Sequence, residues 1–295
     1  MERVVDISVV MGVYNPIQGQ LLEAVQSILD QTVQNWEMIL YDDGSNEEGA
    51  QIVKEAAQRD SRIIPVRGQE NRGLAYALNR CVKLAKGRYI ARMDADDRCF
   101  PHRFAEQMEF LDHHPEYQWV GSNAVLFDNN GVWGNADVPE KPDKNDFLKF
   151  SPYIHPAVMF RRELFSNRYG YIPAEVTKRC EDYELFMRLH SKGYRGYNLQ
   201  EPLFMYREDQ AAYVKRKFLF RWNEMKIRYR GFKRLGILRV RTLPYVFRPI
   251  VGGVIPVSLV SYMLRRNQNG NSGRYEKGQI PKIQQIAKEG KNILP

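Results

Sequence analysis

The first hundred residues predict an α/β fold, a mostly parallel mixed sheet flanked by helices, and two observations carry that prediction. Short β-branched or aromatic runs alternate with helical patterns: ISVVMGV, LLEAVQSILDQ, WEMILY, EEGAQIVKEAA, RIIPV, LAYALNRCVKLA and RYIARM. Such alternation yields parallel strands joined by crossover helices. Each strand-like run also ends in polar residues, and open α/β sheets bind ligands beyond the carboxyl ends of their strands. At 295 residues and 43% hydrophobic content, the chain can bury a full-sized core and still carry an appendage.

Taken in order, Leu22, Val25, Ile28 and Leu29 share one helical face, as do Leu74, Leu78, Val82 and Ala85. The first strand is followed by Tyr14-Asn15, the second by Asp42-Asp43-Gly44-Ser45, the third by Gln69 to Gly73 and the fourth by Asp94-Ala95-Asp96-Asp97. Four strand ends should therefore meet on one polar rim. A strand from Gln118 to Phe127, a turn at Asn129-Asn130-Gly131 and a strand-like run from Tyr153 to Phe160 predict a mixed extension of the sheet. A helix is expected from Glu181 to near Gly193, and the Lys/Arg-dense stretch beyond Gln210 is helical in pattern. The organisation read from this is a catalytic domain over 1–210, a basic helical region over 211–270 and a polar tail over 271–295.

The acidic motifs carry the chemistry. Clustered carboxylates repel one another and resist desolvation, so RMDADD costs stability unless a cation or open water takes the charge. Its ordinary structural account is a solvated acidic turn before a helix starting at Phe100-Pro101. Hard divalent cations bind through one or two protein carboxylates plus substrate phosphates, which suits Asp94, Asp96 and Asp97 at a strand end. For Asp42-Asp43-Gly44-Ser45 the structural account is a turn with Ser45 and Glu48 as a capping box. It leaves the two acids unexplained, whereas Asp43 suits the imide N–H of a uracil ring. Asn71 reads as a helix N-cap, with Gly73 placed for close approach of a phosphate or sugar. Glu181 and Asp182 open a helix, where the dipole keeps a carboxylate ionised, as a general base requires. His155 is a secondary candidate, with a structural role as its alternative.

Together these residues resemble family 2 glycosyltransferases, inverting enzymes with a Rossmann-like GT-A fold. The resemblance runs over roughly residues 5–210, through VVMGVYN, DDGS, NRGLAYALN, the DAD motif and the ED pair, in that order. It implies a nucleotide-diphosphosugar donor, with Tyr14 and Asp43 at the base and Asn15, Asn71 and Gly73 beside it. By the same resemblance, Asp94 and Asp96 hold ribose, diphosphate and Mg²⁺ or Mn²⁺. Asp97 stands as the alternative to Asp96 as direct metal ligand, and Asp182, next to Glu181, deprotonates the acceptor hydroxyl. Processive members carry Gln-x-x-Arg-Trp and several membrane spans. Here Arg221-Trp222 are preceded by Phe218 at the Gln position, which favours single transfers.

Charge is distributed unevenly. Residues 1–210 hold 25 Lys/Arg against 32 Asp/Glu, and 211–295 hold 19 against 3, so a net −7 is joined to a net +16. Basic segments imply an anionic partner. Between Arg248 and Arg265 lie 16 uncharged residues, PIVGGVIPVSLVSYML, short and broken for a span but suited to an interface. An anionic membrane surface met by residues 211–266 is therefore expected, and nucleic acid is not, because it has no use for the apolar run. Cys81, Cys99 and Cys180 lack metal-type spacing, and the N-terminus lacks a secretory apolar core, so a cytoplasmic protein on the inner face of the plasma membrane is expected. The expected activity is transfer from a UDP-hexose or UDP-N-acetylhexosamine to a lipid-linked saccharide acceptor. The rival classes are a nucleotidyltransferase, for which GVYNPIQG is a poor phosphate loop, and a non-catalytic membrane-binding module, which leaves the acids without a purpose.

Overall fold

The computed structural model describes residues 5–166, 169–208 and 218–252. The N-terminal half follows the expected alternation: β1 (Ile7–Val13), α1 (Gln18–Leu29), β2 (Trp36–Asp42), α2 (Glu47–Ala57), β3 (Ile63–Arg67), α3 (Leu74–Leu84) and β4 (Tyr89–Arg92). These four strands pair in parallel in the order β3-β2-β1-β4. Ile7, Val9, Met11 and Val13 join the core under α1 and α2, while Val10 faces the core under α3. β1, β2 and β4 are buried on both faces and so read as continuous apolar runs, whereas the edge strand β3 fully buries only Ile63.

After β4 the sheet becomes mixed. It adds β5 (Arg98–Cys99), α4 (Arg103–His113), β6 (Trp119–Asp128), β7 (Gly131–Ala136), β8 (Met159–Arg161), α5 (Glu163–Ser166), α6 (Glu181–Ser191) and β9 (Gly196–Arg207). The order continues β4-β8-β6-β9-β5, with β7 on β6. The strand expected over Tyr153–Phe160 is shorter than the sequence suggests. Pro156 has no N–H to give a ladder and sits in a 3₁₀ turn at His155–Ala157, so pairing begins only at Met159. The helix expected from Phe100-Pro101 begins at Arg103.

Two further helices, α7 (Phe218–Arg234) and α8 (Leu243–Gly252), close the described chain. Ile227, Phe232, Leu235, Ile237 and Val246 are buried in the same cluster as Phe186, Met187 and Leu189 of α6. Burying Phe232 alone contributes about 1.5–3 kcal/mol. No helix among the described residues is long and apolar enough to cross a membrane. Most of PIVGGVIPVSLVSYML, and residues 271–295, lie outside the described residues.

Candidate active site

The rim is assembled by register. Val13 pairs with Asp42 and Asp42 with Arg67, while Arg92 pairs with Val10, so the polar ends of β1, β2, β3 and β4 lie on one side of the sheet. After β1, Tyr14 is 53% exposed, an open aromatic face next to the sheet. Asn15 follows in the left-handed region at φ 45°. Its N–H donates to Ser45 Oγ at 2.8 Å and its Oδ1 accepts from Asn46 N–H at 2.9 Å, locking the β1 loop to the β2 loop. Ser45 is thus occupied, and the cap of α2 falls to Asn46, whose side chain accepts from Gly49 N–H. The capping box read at Ser45 does not form, and a single side-chain cap from Asn46 replaces it.

Asp42 and Asp43 divide their work. Asp42 accepts from Ser45 N–H at 2.8 Å and is buried. Asp43 reaches across to α3, accepting from Arg72 N–H at 3.1 Å and Gly73 N–H at 2.7 Å. Asn71 is exposed and lies outside the helix, whose N-cap position is Gly73 at φ 87° with no side-chain cap, and Asp43 instead pins the two residues at the helix entrance. Burial raises the Asp43 carboxyl above the usual range, against the two N–H bonds that pull it down. Gly73 meets nothing within 4 Å at a Cβ position, so its backbone angle, not crowding, requires glycine. Gly44 combines both constraints, with φ +76° and a Cβ position 2.4 Å from the Glu70 carbonyl carbon. Gly44→Ala is expected to cost more than about 2 kcal/mol in chemical denaturation, since the left-handed penalty alone is about 1–2 kcal/mol. A cost under about 0.5 kcal/mol would contradict this packing of the two loops.

At the end of β4, Arg92 is 1% exposed and forms an ion pair with Asp94 at 2.5 Å. Donor atoms of Asp94, Asp96 and Asp97 all lie within 4.8 Å of one another. Asp97 Oδ1 accepts from Arg207 N–H of β9 at 2.7 Å, while its Oδ2 is buried without a hydrogen-bond partner. Arg207 also donates to the Asp96 carbonyl at 3.0 Å, so β9 supports the whole turn. Three hard oxygen donors, one of them orphaned and buried, fit a divalent cation of the Mg²⁺ or Mn²⁺ type.

The electrostatics agree with that fit. Asp96 is exposed, with its carboxylate close to those of Asp94 and Asp97. Desolvation first, and Asp94 second, raise it to about 6. Desolvation, then Asp94 and Asp96, push Asp97 well above the ordinary range. Without metal, the folded protein binds more protons at Asp96 than the unfolded chain between about pH 4 and 6, so stability falls as pH rises through that window. A cation competes with those protons. Mn²⁺ is expected to raise Tm more at about pH 7.5 than at about pH 5.5 in paired thermal melts, and equal shifts would argue against carboxylate binding.

α6 begins with Glu181 and Asp182 in its first turn. Burial, followed by the Asp182 charge, raises Glu181. A cavity of about 180 Å³ lies between the start of α3 and the start of α6, lined by Arg72, Gly73, Pro173, Thr177, Lys178 and Glu181. His155 is buried, its ring nitrogen 2.7 Å from the Tyr171 hydroxyl, and burial lowers its pKa well below the usual value. It stands behind the rim as a neutral support. Arg92, Tyr171 and Arg207 are the residues the sequence did not single out. Arg92 was visible in RMDADD, but a buried cation beside the acids has no sequence signal of its own.

Carboxylates at the strand ends of a mostly parallel α/β sheet, with a second acidic pair at the start of α6, match the arrangement expected of a GT-A glycosyltransferase. The chain belongs to glycosyl transferase family 2, whose family model matches residues 8–168. EpsE of Bacillus subtilis is 36% identical over 269 residues, covering 90% of this chain and 96% of its own. The Escherichia coli UDP-Glc:alpha-D-GlcNAc-diphosphoundecaprenol beta-1,3-glucosyltransferase WfaP is 27% identical, over 88% of this chain and 98% of its own. Among solved structures, Staphylococcus aureus TarS 1-349 in complex with UDP-GlcNAc aligns at TM-score 0.57 and 16% identity, over 83% of this chain and 79% of that one. The Pyrobaculum calidifontis mannosyltransferase PcManGT, in complex with GDP-Man and Mn²⁺, aligns at TM-score 0.57 and 17% identity, over 97% and 85%. At such identities these structures speak for the GT-A fold.

Proposed function

We propose that this enzyme transfers a hexose or N-acetylhexosamine from a UDP-sugar, with inversion, to a hydroxyl of a lipid-linked saccharide during cell-envelope polysaccharide synthesis. The observation that carries the reading is the carboxylate cluster Asp94-Asp96-Asp97 at the same strand ends as Asp43 and Tyr14. The names of WfaP and the ligand of TarS favour a UDP-sugar, and WfaP's acceptor is a lipid diphosphate-linked sugar. In this reading Tyr14 stacks on the base, and Asp43 uses its remaining acceptor capacity for the ring N–H. Asn15, Asn71 and Gly73 border the same ligand. Asp94 and Asp96 would hold Mg²⁺ or Mn²⁺, with Asp97, whose buried Oδ2 has no hydrogen-bond partner, as the alternative to Asp96 as direct ligand. When bound, the cation supplies positive charge to the departing diphosphate. Asp182, with Glu181 beside it, accepts the proton of the acceptor hydroxyl as that oxygen attacks the anomeric carbon.

The membrane part of the reading rests on α7 and α8. Phe218, Trp222, Tyr229, Phe247 and Val251 are exposed there, interleaved with exposed Lys226, Arg230, Lys233 and Arg248. Residues 218–252 contain nine Lys/Arg and a single acid, Glu224, which pairs with Arg228. Arg221 donates to the Pro249 carbonyl and Trp222 lies under Lys226, so the Arg-Trp pair serves this helical hairpin. Cation and aromatic together suit the inner face of the plasma membrane. Cosedimentation with vesicles containing phosphatidylglycerol is expected, lost with phosphatidylcholine alone and weakened at 0.5 M salt. Trp222→Ala with Phe247→Ala should weaken it about ten-fold. Equal binding to neutral vesicles would remove the anionic surface as partner. For the donor, thermal shifts with UDP-, GDP-, dTDP- and CMP-sugars in Mn²⁺ are expected to select a UDP-sugar. Selection of a GDP-sugar would refute that donor, and no response from folded protein would refute the transferase reading of the site.

A further inference from the structure

Tyr171 is 4% exposed and held from three directions. The Asn79 side chain of α3 clasps its backbone, accepting from Tyr171 N–H at 2.9 Å and donating to the Tyr171 carbonyl at 2.8 Å. Arg188 of α6 donates to the adjoining Gly170 carbonyl at 2.8 Å, while its Nε bonds Glu184 of the same helix. The phenol hydroxyl shares a 2.7 Å hydrogen bond with His155 Nε2, and the two rings meet edge to face at 5.4 Å.

Each of these holds leads to a different part of the site. α3 carries Gly73 at its start, and α6 carries Glu181 and Asp182 at its start. The His155 turn leads into β8, which pairs with β4, and Arg92 N–H donates to the Val158 carbonyl at 3.0 Å. Arg92 in turn pairs with Asp94. Burial holds the phenol above its usual range, and the charges that reach its hydroxyl are Arg92, Asp182, Asp94 and Glu181, two from each side.

We infer that Tyr171 is a positioning residue, whose hydroxyl, clasped backbone and His155 partner fix the spacing between the Asp94–Asp97 turn and the Glu181–Asp182 helix start. The inference rests on the transferase reading above, because that spacing is the distance between donor and general base. Misplacing reacting groups by about 1 Å can cost on the order of 100-fold in rate while leaving ground-state binding intact. Tyr171→Phe removes one hydroxyl and keeps the ring, so folding is preserved.

The test has two arms on the full chain. Hydrogen exchange without ligand is expected to rise at least ten-fold in Tyr171→Phe in the peptides covering both 92–98 and 181–187, with β1 and β2 unchanged. Mn²⁺-dependent hydrolysis of UDP-glucose is expected to lose about ten-fold in kcat with KM within two-fold of the parent. His155→Gln, which keeps a hydrogen-bonding partner for the phenol, should retain kcat within about three-fold, and His155→Leu should match Tyr171→Phe. Faster exchange confined to 169–174, or kcat and KM moving together with no difference between the His155 variants, would overturn the inference. Absence of UDP-glucose hydrolysis by the parent protein would count against the donor reading alone, and the exchange data would then decide for Tyr171.

Discussion

Asp96→Ala is expected to lower metal-dependent turnover on the order of 10³-fold, the several kcal/mol that a cation contributes to developing phosphate charge. The same change should leave Tm unchanged or slightly higher in metal-free buffer. Asp96 is pressed against Asp94 and Asp97, and its carboxyl is raised to about 6 because ionising it there is unfavourable. Removing it relieves repulsion that Arg92 and Arg207 offset only in part. Loss of activity with gained or equal stability separates a ligand from a structural acid. Paired melts and hydrolysis rates with a UDP-sugar measure both, and a Tm loss of more than about 5 °C with unchanged turnover per folded molecule would assign Asp96 a structural role instead.

Asp182→Asn should have the second largest effect, about 10²- to 10⁴-fold in transfer rate, the range that general bases contribute. The amide keeps the shape of the carboxylate at the first turn of α6 but cannot take a proton. Donor affinity should stay within about two-fold, because Tyr14, Asp43 and the Asp94–Asp97 turn are untouched. Calorimetric UDP binding beside single-turnover transfer tests the split. A variant that loses UDP binding and transfer in parallel would place Asp182 in the donor pocket, and one that retains full transfer would remove it as base.

The legible parts of this chain were those where local sequence decides the outcome. Strands β1, β2 and β4 are short and buried on both faces, so their runs and their polar ends could be read directly. The acids at 94–97 stood out because like charges in one turn have no ordinary structural benefit. What escaped depended on partners far along the chain. Arg207 meets Asp97 across 110 positions, on a strand whose Glu201-Pro202 interruption hides its pattern. Tyr171 gains its place from Asn79 and His155, neither of which announces a partner in the loop. The cap of α2 shifted because the β1 loop recruited Ser45, and α3 starts past Asn71, after Asp43 has taken the Arg72 and Gly73 N–H groups. The basic tail was ambiguous for a related reason. Phe and Trp among Lys/Arg suit both a lipid face and a buried face, and α7 uses Phe232 for one and exposes Trp222 on the other.

One calorimetric measurement tests the central claim most directly: titration of UDP into the protein with Mn²⁺ and again with EDTA. The carboxylate rim predicts mutual dependence, with UDP affinity at least ten-fold higher in Mn²⁺ and Mn²⁺ affinity raised by the same factor in UDP, as linkage requires. Equal UDP affinity in Mn²⁺ and in EDTA would contradict a shared cation site at Asp94 and Asp96.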